Sequence, residues 1–551
     1  MVKVFTDWRP SSGEANETPD DPEALFREAR RRRRIRRAWW TGGIALALLV
    51  AGVAVDVTYT GPGRPLHAPL ATAKVHPYVN AKGFSHQGSL AVVSQDTLWV
   101  LDGSDRSVRK VYVPKGFTPL APTISADGKW LAYLARRPGN NVVTSELWIA
   151  NANGTGAHEV SGLAVGSLFG WRPSGDLLGI TTETSVNYGT GNVVHPYPMA
   201  TAVQLVEPDG SVRQLVAVPT AGSSPLQIEN AEWSPNGQAV AVSTWPLGDT
   251  DGVAAVTAYP ISGKAPTPWF SIAGTATLPG ICSGCGGQNT IADLAGWWSK
   301  WGIGFWVYSS GANHNFDDTP LELLAAPGAT PRIIGKTLSG GETDAISANA
   351  SGSLAIVAST AGRSYGVGKE VEVCEHDSLS CSPLPGASTW TGPDNLTCPI
   401  TDCGPLPPPG TAGSGVTLDP EWSPNGTVLA YVKSPEWVTP GWPSLAWYQA
   451  HKLFVWDPAT NATRQIAHVS GISVPTWSRN GKDLLYVADD GLWLVPVGGG
   501  NAVEIEHPLF PMAQWEHIEQ SDTISYYGQI AWSAQFSWWS PAMHPSSHGA
   551  P

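Results

Sequence analysis

One short pattern constrains this chain more than any other feature. Glu-Trp-Ser-Pro-Asn-Gly occurs at Glu232–Gly237 and again at Glu421–Gly426, each time followed by an apolar run (QAVAVS, TVLAYVKS). A third strong copy, TWSRNGKDLLYVAD, begins at Thr476, and weaker copies begin at Gly83, Thr123, Gly170 and Ile346. GWWSKWGIGFWVYS from Gly296 is the most divergent. In each, a short strand ends at Trp-Ser, a tight turn follows with Gly where positive φ is needed, and an apolar strand returns. A second hairpin with Leu-Trp or Leu-Phe in its first strand comes next, as in LWVLDGSDRSVRKV, ELWIANANGTGAHEV and KLFVWDPATNATRQI. Four antiparallel strands per repeat, at a period of roughly 35–75 residues, predict an all-β fold: a β-propeller of seven or eight four-stranded blades over about residues 80–540.

Composition agrees and excludes the rivals. With 60 Gly, 47 Pro and only 14% charged residues, the chain is no coiled coil or helical bundle, and 42% apolar residues can bury a core, which excludes wholesale disorder. A length of 551 residues suggests three or four domains, but repetition reduces them to one disc.

The pattern Trp-Ser-Pro-(Asp/Asn)-Gly-x3-(Ala/Leu)-(Phe/Tyr/Val), followed by Leu-(Trp/Tyr/Phe)-x2-(Asp), resembles the TolB-type or WD-repeat-like propeller repeat over about residues 80–535. The chain departs from it where the turn Asp is mostly Asn and where the Gly296 copy lacks the Ser-Pro-Asn-Gly turn. The resemblance implies the fold. Propellers of this type serve as scaffolds, binding platforms and enzyme accessory domains, so it implies no particular chemistry. The tail ISYYGQIAWSAQFSWW from Ile524 has a further strand pattern that would close the ring by completing the first blade.

The N-terminal region carries a topological signal. Residues 1–37 hold ten Lys/Arg against seven Asp/Glu, and the remainder 23 against 39, so the net charge of -13 divides into a basic tail and an acidic body. An acidic body argues against nucleic acid as a partner. Ala38–Val55 is uncharged and follows the arginine run Arg30–Arg37. Eighteen helical residues cover about 27 Å, close to a hydrocarbon core of roughly 30 Å. The expectation is a cytoplasmic tail over 1–37, a single transmembrane helix over 38–57 with its N-terminus inside, a Gly/Pro-rich neck over 58–79, the extracytoplasmic propeller and a tail over 541–551.

The six cysteines fall as local pairs, Cys282/Cys285, Cys374/Cys381 and Cys398/Cys403, and predict three short-loop disulfides in an oxidising compartment. A single CxxC is too little for a zinc site, so no metal and no cofactor is expected. With strands labelled a to d, the a-b and c-d turns are short, whereas the b-c connections Thr181–Thr201, Ser309–Thr319 and Ser434–His451 and the d-a connections Ser271–Ala292 and Ser382–Thr417 are long. One face of the disc is therefore bare and the other elaborated, and binding sites concentrate on such loops. In SPEWVTPGWPSLAWYQAH, Trp437, Trp442, Trp447 and Tyr448 are candidate anchors for an envelope protein, peptide or glycan, with a loop-packing role as the alternative. His314 and Asp317 in HNFDD are a second candidate binding pair.

Catalytic motifs are sparse. GRSYG at Gly362–Gly366 matches the nucleophile elbow but sits in a b-c loop without the strand-to-helix context. GDTDG at Gly248–Gly252 lacks the further ligands of a calcium loop. The reading is a membrane-anchored, non-catalytic binding or scaffolding module at the cell envelope. The alternative is an envelope hydrolase or lyase with its site at the channel mouth of the propeller.

Overall fold

The computed structural model describes residues 77–541 except 138–144, 189–194, 221–225, 247–252, 274–289, 310–318, 338–345, 360–368, 386–414, 436–444, 468–471, 489–490 and 510–533. The described chain is almost wholly β and propeller-like. Its strands form antiparallel units of four, each named here a to d in chain order. Unit 4 is the plainest: Leu226–Trp233, Ala239–Pro246, Val253–Pro260 and Thr267–Ala273 pair in sequence. Unit 5 runs through Thr290–Trp298, Gly302–Ser309, Thr319–Leu324 and Arg332–Thr337, and unit 6 through Ile346–Ala348, Ser353–Ser359, Lys369–Glu375 and Cys381–Pro383. Unit 7 comprises Gly415–Trp422, Leu429–Pro435, Lys452–Asp457 and Ala462–Gln465, and unit 8 Ile472–Trp477, Asp483–Ala488, Gly491–Pro496 and Val503–His507.

Units 2 and 3 share a strand. His158–Trp171 is 14 residues long; its first part pairs with Ser145–Asn151, as strand d of unit 2, and its second with Leu178–Tyr188, as strand a of unit 3. Unit 2 begins with Thr118–Ile124 and Trp130–Arg136, and unit 3 continues through His195–Val206 to Val212–Ala217. The connection expected as a loop over Thr181–Thr201 is largely an extension of this pairing, with Tyr188 opposite His195 and Thr184 opposite Met199.

Unit 1 joins the two ends of the described chain. Ser89–Ser94, Thr97–Asp102 and Ser107–Lys110 supply strands b to d, and strand a is Phe536–Trp539, with Phe536 opposite Val92 and Trp539 opposite Ser89. The expected completion of the first unit by the C-terminal segment is thus observed. Tyr78–Val79 adds a short strand to the outer edge of unit 8.

The sequence motif explains how each a-b turn is built. In unit 4 Ser234 Oγ accepts from Ala239 N at 2.9 Å and donates to Asn236 Oδ1 at 2.9 Å. Ser423 with Asn425, Ser478 with Asn480 and Ser125 with Asp127 repeat that donation at 2.8, 2.8 and 2.6 Å. Gly237 takes φ +64 and its equivalent Gly426 φ +70, a conformation that costs a side-chain-bearing residue. Asn therefore replaces the usual Asp of the repeat without loss, because the turn needs only the side-chain oxygen.

The motif tryptophan does a second task. Trp171 Nε1 donates to Thr123 O at 3.0 Å, Trp233 Nε1 to Gly170 O at 3.0 Å and Trp477 Nε1 to Glu421 O at 2.9 Å. In every case the acceptor is the residue before the motif position in the preceding unit. Other seams carry related links: Ile124 N and Trp422 N donate to Ser537 Oγ and Ser347 Oγ, both at 3.0 Å. Where the ends meet, Arg479 N donates to Ser540 Oγ at 2.6 Å and Trp539 Nε1 to Ala126 O at 3.0 Å. Between the sheets lie apolar clusters; one joins Leu90, Val92 and Phe536 of unit 1 to residues of units 6, 7 and 8.

No helix among the described residues is long and apolar enough to cross a membrane, and Ala38–Val55 lies outside them.

Two predictions test this construction. Trp233→Phe and Trp477→Phe each leave a carbonyl of the neighbouring unit without its donor and should cost about 1–3 kcal/mol in equilibrium unfolding. Trp422→Phe should cost less, because Trp422 Nε1 has no hydrogen-bond partner among the described residues. Ending the chain at residue 533 removes Phe536, 7% exposed, and should destabilise by at least about 3 kcal/mol, seen as a lower thermal midpoint.

Candidate active site

The a strands form the inner layer of the fold: those of units 4 and 5, 6 and 7, and 7 and 8 lie side by side, as does that of unit 1 beside that of unit 2. Functional side chains offered to the centre must come from these strands. The position before the motif aromatic is the informative one. At Thr123, Gly170 and Glu421 its carbonyl serves the clasp just described, and its side chain varies along the chain: Thr123, Gly170, Glu232, Glu421 and Thr476 in units 2, 3, 4, 7 and 8.

Glu232 is the outstanding member. Burial pushes its carboxyl up to about 7, against an opposing hydrogen bond from the Trp233 backbone. Glu421, at the equivalent position of unit 7, is exposed. A carboxylic acid held near neutral pKa exchanges protons readily at physiological pH and is matched to general acid-base work.

The neighbouring strand supplies aromatic surface. Asn230 Nδ2 donates to Leu294 O at 3.2 Å, which aligns the a strands of units 4 and 5. Beyond that contact strand a of unit 5 ends in the half-buried Trp297 and Trp298. Trp297 meets Trp269 of unit 4 edge-on at 5.4 Å. The Trp298 ring lies over two glycines: a Cβ on Gly296 or Gly304 would fall 2.6 or 2.4 Å from ring atoms. Unit 5 has thus exchanged the Ser-Pro-Asn-Gly turn for a short turn, Trp298 opposite Gly302, and a seated indole.

The sequence-predicted residues fare unevenly. Trp447 and Tyr448 belong to a short helix, Leu445–Gln449, and each is 4% exposed. Trp447 Nε1 donates to Pro435 O at 2.7 Å, and its ring meets His451 at 4.3 Å and Tyr448 at 5.1 Å. Both side chains pack the connection inward. Trp437, Trp442, His314 and Asp317 lie outside the described residues, as do Cys282, Cys285, Cys398 and Cys403. Cys374 and Cys381 form a disulfide, S–S 2.00 Å, between the facing strands c and d of unit 6. Among the described residues no three His, Cys, Asp or Glu converge to hold a metal ion. Glu232 was not singled out from the sequence. The signal was present in Glu-Trp-Ser-Pro, where an acid precedes the repeat's fixed aromatic, but its burial depends on the neighbouring unit.

No family model matches the chain, and no curated protein is similar to it. Among solved structures it is similar to an oligogalacturonate lyase in complex with manganese, at 10% identity and TM-score 0.37, over 77% of this chain and 85% of that one. It is also similar to a prolyl endopeptidase, at 12% identity and TM-score 0.40, over 76% of this chain and 56% of that one. TolB from Acinetobacter baumannii matches at 13% identity and TM-score 0.29, over 54% of this chain and 63% of that one. At such identities the likeness carries no residue roles. The expectation of a non-catalytic binding or scaffolding module is corrected to this extent: the solved structures that the chain is similar to include a lyase and an endopeptidase as well as TolB, and the likeness shows the fold alone.

Glu232 also predicts a pH dependence of stability. With an ordinary value of 4.5 and a folded value of about 7, the folded chain holds a proton between those values that the unfolded chain releases. Stability from this group is full below pH 4.5, falls as pH rises towards about 7 and is level above it. Glu232→Gln should flatten that part of the slope in thermal unfolding between pH 4.5 and 7.5; an unchanged slope would refute the assignment.

Proposed function

We propose that this chain is a hydrolase or lyase whose acid-base group is Glu232, at the end of the inner ring of an eight-bladed propeller, held at the cell envelope by the N-terminal segment. The observation that carries the reading is a carboxyl group on an innermost strand, withdrawn from water enough to sit near pKa 7, in a unit whose neighbour turns Trp297 towards it. The eight-bladed reading is supported by the grouping of the strands into antiparallel units of four and by the C-terminal strand that completes unit 1. The anchor rests on Ala38–Val55 after the arginine run.

Protonated, Glu232 gives its proton to a departing oxygen or nitrogen as the bond breaks. Ionised, it takes one from an attacking water or from an acidic carbon. Either transfer is worth roughly 10²–10⁴ in rate. Trp297, on the side of its strand turned to unit 4, offers an apolar face suited to a sugar ring or an aliphatic ring. The ring end carries acids at Glu232 and Glu421, which favours neutral or cationic substrates over polyanions.

The test is turnover of glycan and peptide substrates by the full chain. Glu232→Gln should lower kcat by about 10²–10⁴ with little change in KM, and the wild-type profile should have a limb near pH 7, rising with pH if the group acts as base and falling if as acid. Equal turnover by wild type and Glu232→Gln would end this reading.

A further inference from the structure

Strand c of unit 6, Lys369–Glu375, divides its side chains between two seams. Val371 N donates to Thr417 Oγ1 of unit 7 at 2.6 Å, and Val371 and Val373 share a core with Val416 and Leu418. Glu370, Glu372 and Cys374 therefore point the other way, and Cys374 shares a core with Trp306 and Leu321 of unit 5. Two carboxyl groups are aimed at the seam between units 5 and 6.

The surface that they meet is apolar. Phe305 lies 4.5 Å from Phe270 of unit 4, so Phe305 and its cross-strand partner Glu322 look back to unit 4. Trp306 and Leu321, the next pair, look forward to unit 6. Two other ionisable groups share that forward side by register: Asp293, opposite Trp306, and Arg332, opposite Leu323 near the c-d turn. Asp293 is buried and engaged within the protein. Lys336, opposite Pro320, falls by register on the Glu322 side. Within unit 6 the facing residues are uncharged: Ala358 opposite Glu370, and Ile356 and Pro383 opposite Glu372. Lys369 belongs to the unit 7 side.

Residues two apart on a strand stand about 7 Å from each other, so the two acids are like-charged neighbours when both ionise. Glu370 Oε1 is buried with no hydrogen-bond partner among the described residues. Burial, with the charge of Glu372 added, pushes Glu370 up to about 7, and burial raises Glu372 as well.

We propose that the seam between units 5 and 6 is a proton-operated joint, closed while Glu370 and Glu372 hold protons and loosened when both ionise. The Cys374–Cys381 bond keeps strands c and d of unit 6 together, so the change acts between units rather than within one. At the opposite end of the seam Lys300 Nζ donates to Ser351 O at 2.6 Å, exposed, and Trp301 meets His376 at 5.1 Å, a hinge that ionisation of the acids does not touch. Strand c opens directly after the connection 360–368, and strand d leads to 386–414.

Hydrogen exchange of the full chain tests this, with intrinsic rates corrected for pH and peptides from 353–359 and 369–375 compared with unit 7 peptides from 429–435 and 452–457. Protection in unit 6 relative to unit 7 should fall roughly tenfold from pH 5.5 to 8.5, one pKa unit being a factor of ten. Glu370→Gln should abolish the change. Should Glu370→Gln fail to fold, Glu372→Gln, which removes only the like charge, should move the midpoint to lower pH. Relative protection that is independent of pH in the wild type, or a change that persists unaltered in these variants, would overturn the proposal.

Discussion

The stacking of the units is set by hydrogen bonds that cross from one sheet to the next, chief among them the bond from an indole N–H to a backbone carbonyl one unit away. A β-sheet has two faces, and each unit here must cover both against its neighbours, which apolar contact alone would do at many relative heights. The bonds from Trp171, Trp233 and Trp477, at 3.0, 3.0 and 2.9 Å, fix one height. They do so at the end of strand a, where the strand turns back and where an unsatisfied carbonyl would otherwise be buried. The same residue thus ends the strand, covers the neighbour and sets the register between units.

That clasp divides the labour at the position before the tryptophan. At Thr123, Gly170 and Glu421 the carbonyl is committed to the neighbouring indole, and any residue provides a carbonyl. The side chain at this position is left to vary, and it does, from Thr123 to Gly170 to Glu232 to Glu421. A repeat whose innermost strand can vary at such a position is a scaffold that can place a reactive group without disturbing its own assembly. Unit 5 shows the other way to change the centre. There two glycines under Trp298 replace the turn chemistry, and an indole is laid down where other units have a five-residue turn.

Much of this was legible in the chain. Trp-Ser-Pro-Asn-Gly encodes a strand end, a side-chain-capped turn and a positive-φ glycine, all local, so the hairpins could be read directly and the count of units narrowed to seven or eight. The closing strand was readable because FSWW carries strand pattern beyond the last full repeat. What could not be read was anything set by two units together. The sharing of His158–Trp171 between units 2 and 3 depends on strand length, not on motif. Trp447 and Tyr448 looked like anchors because aromatics in a Pro-rich stretch fit both an interface and a core; burial at 4% follows from the strands beneath them. Glu232 was plain in the motif, yet its displacement from ordinary acidity comes from the protein around it.

Glu232 and Glu370 show why equal acidity does not mean equal role. Burial brings both to about 7. The second influence differs in sign. The Trp233 backbone N–H favours the ionised form of Glu232, so that its charge, once formed, has a fixed donor and the group can ionise and re-protonate without moving its surroundings. Glu370 has Glu372 on the same strand face, and burial with that like charge disfavours its ionisation, while burial alone raises Glu372. Such a pair titrates as a unit, and its ionised form is relieved only by separation from the apolar wall. A lone acid with a donor is suited to transferring protons, and a pair on one strand face whose Glu370 Oε1 is buried without a partner among the described residues is suited to converting a proton into movement between units.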